Sequence, residues 1–226
     1  MKILLVHNFY RSGAPGGEDV VFAQEKSLLE AAGHEVITYT RSNDEMNERN
    51  PLDALRTLAG LRRSRRTVRE LGALLQRERP DVAHFHNTFP LISASGYEAC
   101  VEAGVPVVQT LHNFRMTCAA GTHYRAGRVC ESCTAQDHRA AIEHRCYRNS
   151  AAASFAVARM LRAQAIDRSL VSGVDRFLVL SPFAAKRFVA AGIPPEKITV
   201  KPNCVEVGEQ LVERPHRNVT EARPFA

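Results

Sequence analysis

Residues 2–40 read KILLVHNFYRSGAPGGEDVVFAQEKSLLEAAGHEVITYT, and this stretch decides the fold. Lys2 to Val6 is an apolar run of strand length, and Asp19 to Ala32 carries apolar residues at helical spacing and stops at Gly33. Glu35 to Thr40 then returns to a strand rich in β-branched residues. A strand, a helix and a second strand joined this closely form a βαβ unit, whose two strands run parallel.

The same alternation continues outward. Arg41 to Asn50 is a polar loop, and Pro51 opens a long helix with Leu52, Leu55, Leu58, Leu61, Val68, Leu71 and Leu75 on one stripe, stopped by Pro80. Asp81 to His86 is a strand, Leu91 to Ala103 a helix closed by Gly104, and Pro106 to Leu111 a strand. Beyond a cysteine-rich stretch, Ala151 to Val171 is helical, Arg176 to Leu180 a strand, Pro182 to Ala191 a helix and Ile198 to Lys201 a last strand. This pattern predicts an α/β fold: a Rossmann-like, doubly wound parallel sheet covered on both faces. With 226 residues, 45% of them hydrophobic, the chain can bury one substantial core and carry an insertion. The net charge of +6 favours acidic company: a nucleotide diphosphate, an anionic membrane face or nucleic acid. The apolar run after Met1 is too short for a signal peptide, and no window is long enough to span a bilayer, so a cytoplasmic protein is expected, possible contact with the inner membrane face included.

Ligands of open parallel sheets collect at the carboxyl ends of the strands, so the residues there are the ones to read for chemistry. After the first strand comes a glycine-rich loop, Gly13 to Gly17, feeding a helix. Its N–H groups and the helix N-terminus can hold a phosphate or a sugar hydroxyl, and the same glycines can simply build a turn. The loop lacks the GxGxxG spacing, and the second strand runs into Thr40-Arg41-Ser42 without an acidic residue for a ribose, which counts against an NAD enzyme. His84 and His86 alternate onto one strand face, as scaffolding or as a pair able to share a metal. His112 and Asn113 end the next strand, where an imidazole can contact a substrate oxygen or tie down a loop.

Cys118, Cys130, Cys133 and Cys146 follow within the polar stretch 114–149. The inner pair is a CxxC, which turns both thiolates toward one ion, and four soft ligands suit a closed structural zinc site. Two disulfides, an iron-sulfur cluster and four thiols with no common partner are the other readings of four cysteines. The stretch has few large apolar residues of its own, so a bound ion would supply its order.

The loop Gly13 to Gly17, the strand end Asp81-Val82-Ala83-His84-Phe85-His86, the segment Thr110-Leu111-His112-Asn113, Ser181-Pro182 and Lys201-Pro202-Asn203-Cys204-Val205-Glu206 together resemble the amino-terminal domain of family 4 GT-B glycosyltransferases. Members similar to this chain carry the same kind of four-cysteine insertion. The resemblance implies retaining transfer of a sugar, hexosyl transfer for instance, from a nucleotide-diphosphate donor to a glycan or lipid-linked acceptor, in a cleft between two Rossmann-like domains. It places the loop glycines Gly16 and Gly17 beside diphosphate and acceptor, and His112 near the reaction centre as the catalytic histidine. His86, Asn87, Asn113 and Asn203 are the further substrate-binding candidates. Such enzymes need no catalytic metal, so zinc on the four cysteines would be structural. The division implied is residues 1–206 as the amino-terminal domain and 207–226 as a linker toward a carboxyl-terminal, donor-binding domain that these residues do not contain; without it no turnover is expected. Asn203-Cys204-Val205-Glu206 departs from the family's usual Asn-Gly-Val-Asp.

The alternative is a zinc-stabilised Rossmann-like binding module for an anionic membrane or nucleic acid. It rests on Arg62, Arg63, Arg65 and Arg66 and on the arginines around the cysteines. Few aromatic residues interleave with those arginines, so a base-stacking platform is not indicated, and lipid is favoured over nucleic acid.

Overall fold

The computed structural model describes residues 1–47, 50–134, 137–167 and 169–203, with the backbone alone at 51, 52, 54, 55, 166, 167, 169 and 170. The hinge at Cys204 to Glu206 and the segment 207–226 lie outside the described residues, as do the side chains of Leu52 and Leu55. In chain order the elements are β1 (Lys2–Phe9), α1 (Gly17–Ala31), β2 (Glu35–Ser42), α2 (Pro51–Gly60), α3 (Arg65–Glu78), β3 (Val82–Phe85), α4 (Ser95–Glu102) and β4 (Val107–Leu111). The insertion holds a hairpin of β5 (Tyr124–Arg125) and β6 (Arg128–Val129) and a short α5 (Arg139–Glu143). Then come α6 (Ala151–Asp167), α7 (Ser169–Ser172), β7 (Arg176–Val179), α8 (Pro182–Ala190) and β8 (Ile198–Val200).

Six strands form one sheet in the order β2-β1-β3-β4-β7-β8, and every pairing in it is parallel. The Rossmann-like reading holds. Period-two alternation sorts the side chains between two unlike faces. Leu4, Val6, Ala83, Phe85, Val107 and Phe177 join Leu71, Leu75, Tyr97 and Phe188 in the main apolar core. Each fully buried aliphatic or aromatic side chain there contributes about 1.5–3 kcal/mol. Ile3 and Leu5 meet Phe22 of α1 on the opposite face, and farther along the strands that face turns polar, with His7, His84, His86 and Thr110 all buried.

Two expectations are corrected. The helix opened by Pro51 is interrupted: α2 ends at Gly60 and α3 starts at Arg65, with Ser64 as N-cap accepting from Thr67 N. Ser64 N donates to Ser93 Oγ and Ser95 Oγ at 3.2 and 2.9 Å, which stitches this break to the start of α4. The basic run therefore straddles a turn rather than one helix face. Arg63 pairs with Glu98 at 3.2 Å and Arg66 with Glu45 and Glu70 at 2.9 and 2.7 Å. The insertion, in turn, is not coreless: Ala119 and Ala141 pack with Leu61, Val157, Met160 and Leu161, with Cys133 and Cys146 at the margin.

Candidate functional site

With β2 on one side of β1 and β3 on the other, the strand order reverses between β1 and β3, which in an open parallel sheet opens a crevice at their carboxyl ends. A cleft of about 260 Å³ lies there, lined among others by Tyr10, Glu18, His86, Asn87, His112 and Asn113. Four of these were candidates from the sequence. Gly16 and Gly17 do not line the cleft; they sit at the start of α1, immediately before Glu18, which does. Asp19 Oδ2 reaches back to Gly16 N at 2.9 Å and seals the helix start. A Cβ on Gly16 would stand 2.5 Å from the Tyr10 ring, whereas one on Gly17 would meet nothing within 4 Å. Gly16 is thus needed for packing under Tyr10, whereas the space around Gly17 is open. Asn203 is not among the residues that line the cleft.

Hydrogen bonds commit most of the polar lining to the protein itself. Asn87 donates from Nδ2 to Asn8 O at 2.8 Å and accepts Phe89 N at Oδ1, so it ties β3 to β1. Asn113 Nδ2 donates to Glu18 Oε1 at 2.6 Å, and its Oδ1 accepts Arg115 N. Burial raises the Glu18 carboxyl above its ordinary range, against the bond from Asn113, and burial first, then Glu18, pushes Tyr10 up to about 12. Both shifts report a poorly solvated pocket, where a directed hydrogen bond is worth more than in water. Arg115 brings a guanidinium to it, held over the rings of Phe89 and Tyr147 at 4.9 and 5.5 Å.

Beneath the cleft floor lies a histidine network on the α1 face. His7 Nε2 meets Asp19 Oδ1 at 2.7 Å and stacks on Phe22. His84 meets Glu25 through Nδ1 at 3.0 Å and Thr110 through Nε2 at 2.7 Å. His86 Nδ1 and His112 Nε2 are 3.0 Å apart. Burial is the main force that holds His86 down to about 2 and His112 to about 4, with neighbouring histidines adding to it. Near neutral pH His112 is therefore an uncharged imidazole that lines the cleft, suited to hydrogen bonding and unsuited to electrostatic neutralisation of a phosphate.

Among the described residues, Glu25, His84 and His86 form a group whose ligand atoms all lie within 4.8 Å of one another. Lys201 Nζ already stands 3.2 Å from Glu25 Oε2 as the counter-cation, so the scaffolding reading of the two histidines fits better. The four insertion cysteines are free thiols and do not form such a group at that separation. Two of them feel the charge of the others. Burial, then Cys118, Cys146 and Cys130, push Cys133 up to about 11, and burial, then Cys118 and Cys130, raise Cys146. Glu25, Tyr10 and Glu18 escaped the sequence reading, and Arg115 entered it only among the arginines around the cysteines. Glu18 carried a signal, an acid directly after the glycine loop, but acids in a first helical turn are ordinary dipole complements.

The family model for Glycosyltransferase Family 4 matches residues 15–209, most of the chain. The chain belongs to glycosyltransferase family 4. Among solved structures, this family 4 chain is similar to S. aureus MnaA in a co-structure with UDP, at 15% identity and a TM-score of 0.50, covering 89% of this chain and 45% of that one. It is also similar to the lipopolysaccharide outer core galactosyltransferase WaaB, at 18% identity and a TM-score of 0.48, covering 96% and 50%. A third is the UDP-GlcNAc 2-epimerase of Methanocaldococcus jannaschii, at 10% identity and 0.48, covering 88% and 45%. The likeness to MnaA is one of fold, and the chain spans about half the length of these proteins. Comparison with curated proteins gave no match. No helix among the described residues is long and apolar enough to cross a membrane.

Proposed function

We propose that residues 1–206 form the amino-terminal, acceptor-side half of a retaining GT-B glycosyltransferase, which moves a sugar from a nucleotide-diphosphate donor to a glycan or lipid-linked acceptor. Membership of family 4 supports a glycosyl-transfer reaction. The observation that carries the site is His112: a neutral imidazole at the end of β4, lining a desolvated cleft at the point where the strand order reverses. Loss of a diphosphate leaving group develops negative charge, which favours nearby backbone N–H donors such as those opening α1 at Gly17, and an imidazole that stays neutral can orient a sugar hydroxyl. In this reading, donor binding belongs to a second domain outside these residues. The test is a two-domain protein containing this chain, supplied with a panel of nucleotide-diphosphate sugars. Release of nucleotide diphosphate with one of them is expected even without acceptor, by slow hydrolysis, and the anomeric configuration of a transferred product reads retention. No release with any donor would remove the assignment.

Zinc on Cys118, Cys130, Cys133 and Cys146 is proposed as the brace of the insertion. After burial, the charges of Cys118 and Cys130 raise Cys133 and Cys146, a build-up of negative charge that a cation would relieve, and that gain would hold residues 114–149 against α6 as a wall of the acceptor side. Glu131 pairs with Arg187 of α8, a second tie of this segment to the sheet domain. Protein purified without chelator is expected to contain one zinc per chain, with the four thiols protected from alkylation. Zinc well below one per chain together with four freely reacting thiols would overturn the brace. The alternative of a module for anionic membrane or nucleic acid draws less support, because Arg63 and Arg66 are already paired with acids.

A further inference from the structure

Glu25 lies on α1 and is not among the residues that line the cleft, yet it stands against the groups that lead to His112. Around it stand His84 and His86 of β3 and Lys201 after β8; beyond His86 are His112, which follows β4, and His7 of β1. Burial acts to raise the Glu25 carboxyl, but His84, His86 and Lys201 outweigh it and hold it down to about 2. At neutral pH it is a carboxylate, able only to accept.

That constraint propagates. His84 Nδ1, 3.0 Å from Glu25 Oε1, therefore carries a proton, and its Nε2 lies 2.7 Å from the Thr110 hydroxyl. His86 Nε2 is buried without a hydrogen-bond partner among the described residues and looks onto Glu25 Oε2 from 3.9 Å. A proton there points into the field of the carboxylate, whereas a lone pair there faces negative charge. With Nε2 protonated, the neutral His86 ring offers a lone pair at Nδ1, and His112 Nε2, 3.0 Å away, has to donate to it. His112 has then used its single proton. Its Nδ1, with no hydrogen bond to any described residue, is left with a lone pair on a ring that lines the cleft.

We infer that Glu25 sets the proton positions of His86 and His112, so that His112 meets its ligand as a hydrogen-bond acceptor. Glu25 and His86 are positioning residues in this scheme. It rests on the reading of His112 as a sugar contact and sharpens it. An acceptor nitrogen takes an O–H or N–H from the ligand and repels groups that only accept. His112 thereby selects a sugar that presents a hydroxyl at this point over one that presents a carboxylate, and it does not donate to the diphosphate.

Imidazole tautomers are read directly by long-range proton–nitrogen NMR of the histidine side chains. In the unliganded chain, His84 is expected to carry a proton at Nδ1, and His86 and His112 are expected in the Nε2–H form with roughly tenfold or greater preference. A His112 ring protonated at Nδ1 overturns the inference without any variant. The Nε2–H form is also the commoner form of a free imidazole, so Glu25→Gln carries the second arm. An amide both donates and accepts, and it no longer dictates the chain of protons. Mixed tautomers at His86 and His112 are expected in a variant whose amide spectrum is otherwise native. Tautomers unchanged from the wild type would show that Glu25 does not set them. The measurement needs no donor or acceptor, so failure of sugar transfer and failure of this relay are separable results.

Discussion

Replacing His112 with alanine in a complete two-domain protein should lower sugar transfer by about 10²-fold, the scale of losing one preorganised hydrogen bond at a reaction centre. The loss should fall mainly on kcat, because the imidazole orients the sugar as the bond to the leaving group weakens. His112 is partly accessible, and among the described residues it hydrogen-bonds only His86, so truncation is expected to leave the melting transition largely in place. The check is a steady-state comparison alongside thermal melts of both proteins. Near-normal transfer with an unchanged melt would reduce His112 to a strand terminator.

A second large effect is expected from acid. His86 and His112 are held down to about 2 and about 4, and His7 is also lowered, in each case first by burial. In the unfolded chain all three return toward the ordinary value near 6.5. Below that pH the unfolded state binds protons that the native state refuses, so stability falls as the pH falls. Each such histidine contributes a slope of about 1.4 kcal/mol per pH unit. The part due to His112 levels off near pH 4, while that due to His86 continues downward. Glu25 adds in the same direction: its stabilisation is present above about 4.5 and is lost as the pH falls toward its native value of about 2. Urea midpoints measured at pH 7.5, 6 and 5 should therefore drop steeply over the acid half of the range and stay flat above 7. A midpoint that holds or rises between pH 6.5 and 5 would contradict the neutral, buried state of these rings.

How much of this was legible beforehand depends on which periodicity carried it. The parallel sheet could be read because strand runs and helical stripes alternate cleanly from Lys2 to Lys201. Period-two alternation put His84 and His86 on one face, where both meet Glu25. The break between α2 and α3 was not legible. The leucine stripe runs on through it in register, and the cap is a serine inside an arginine run whose partners, Ser93 and Ser95, come from the distant start of α4 and the turn before it. Leu91 to Ala94 likewise read as the start of α4 but lie in the turn before it, which begins at Ser95. The insertion appeared to lack a core because alanines carry little weight in a hydrophobicity count, yet Ala119 and Ala141 are almost wholly buried against α6. Glu25 was silent for a further reason: the azimuth of a helix over a sheet is set by packing, and no local pattern encodes it.

The order of strands also bears on how the molecule comes to exist. β1 pairs with β2 by joining residue 2 to residue 35, a closure that the first helix makes nearly local. Its other edge waits for residues 82 to 85, since Ile3 pairs with Val82 and Val6 with Phe85. Closing so long a loop costs entropy before any contact repays it, and parallel pairings of this kind form slowly. The cleft lies on that late seam. A nascent chain that has made only the first βαβ unit has no histidine network, and its β1 edge, with Leu4 and Val6 uncovered, is the surface most exposed to misassociation while it waits.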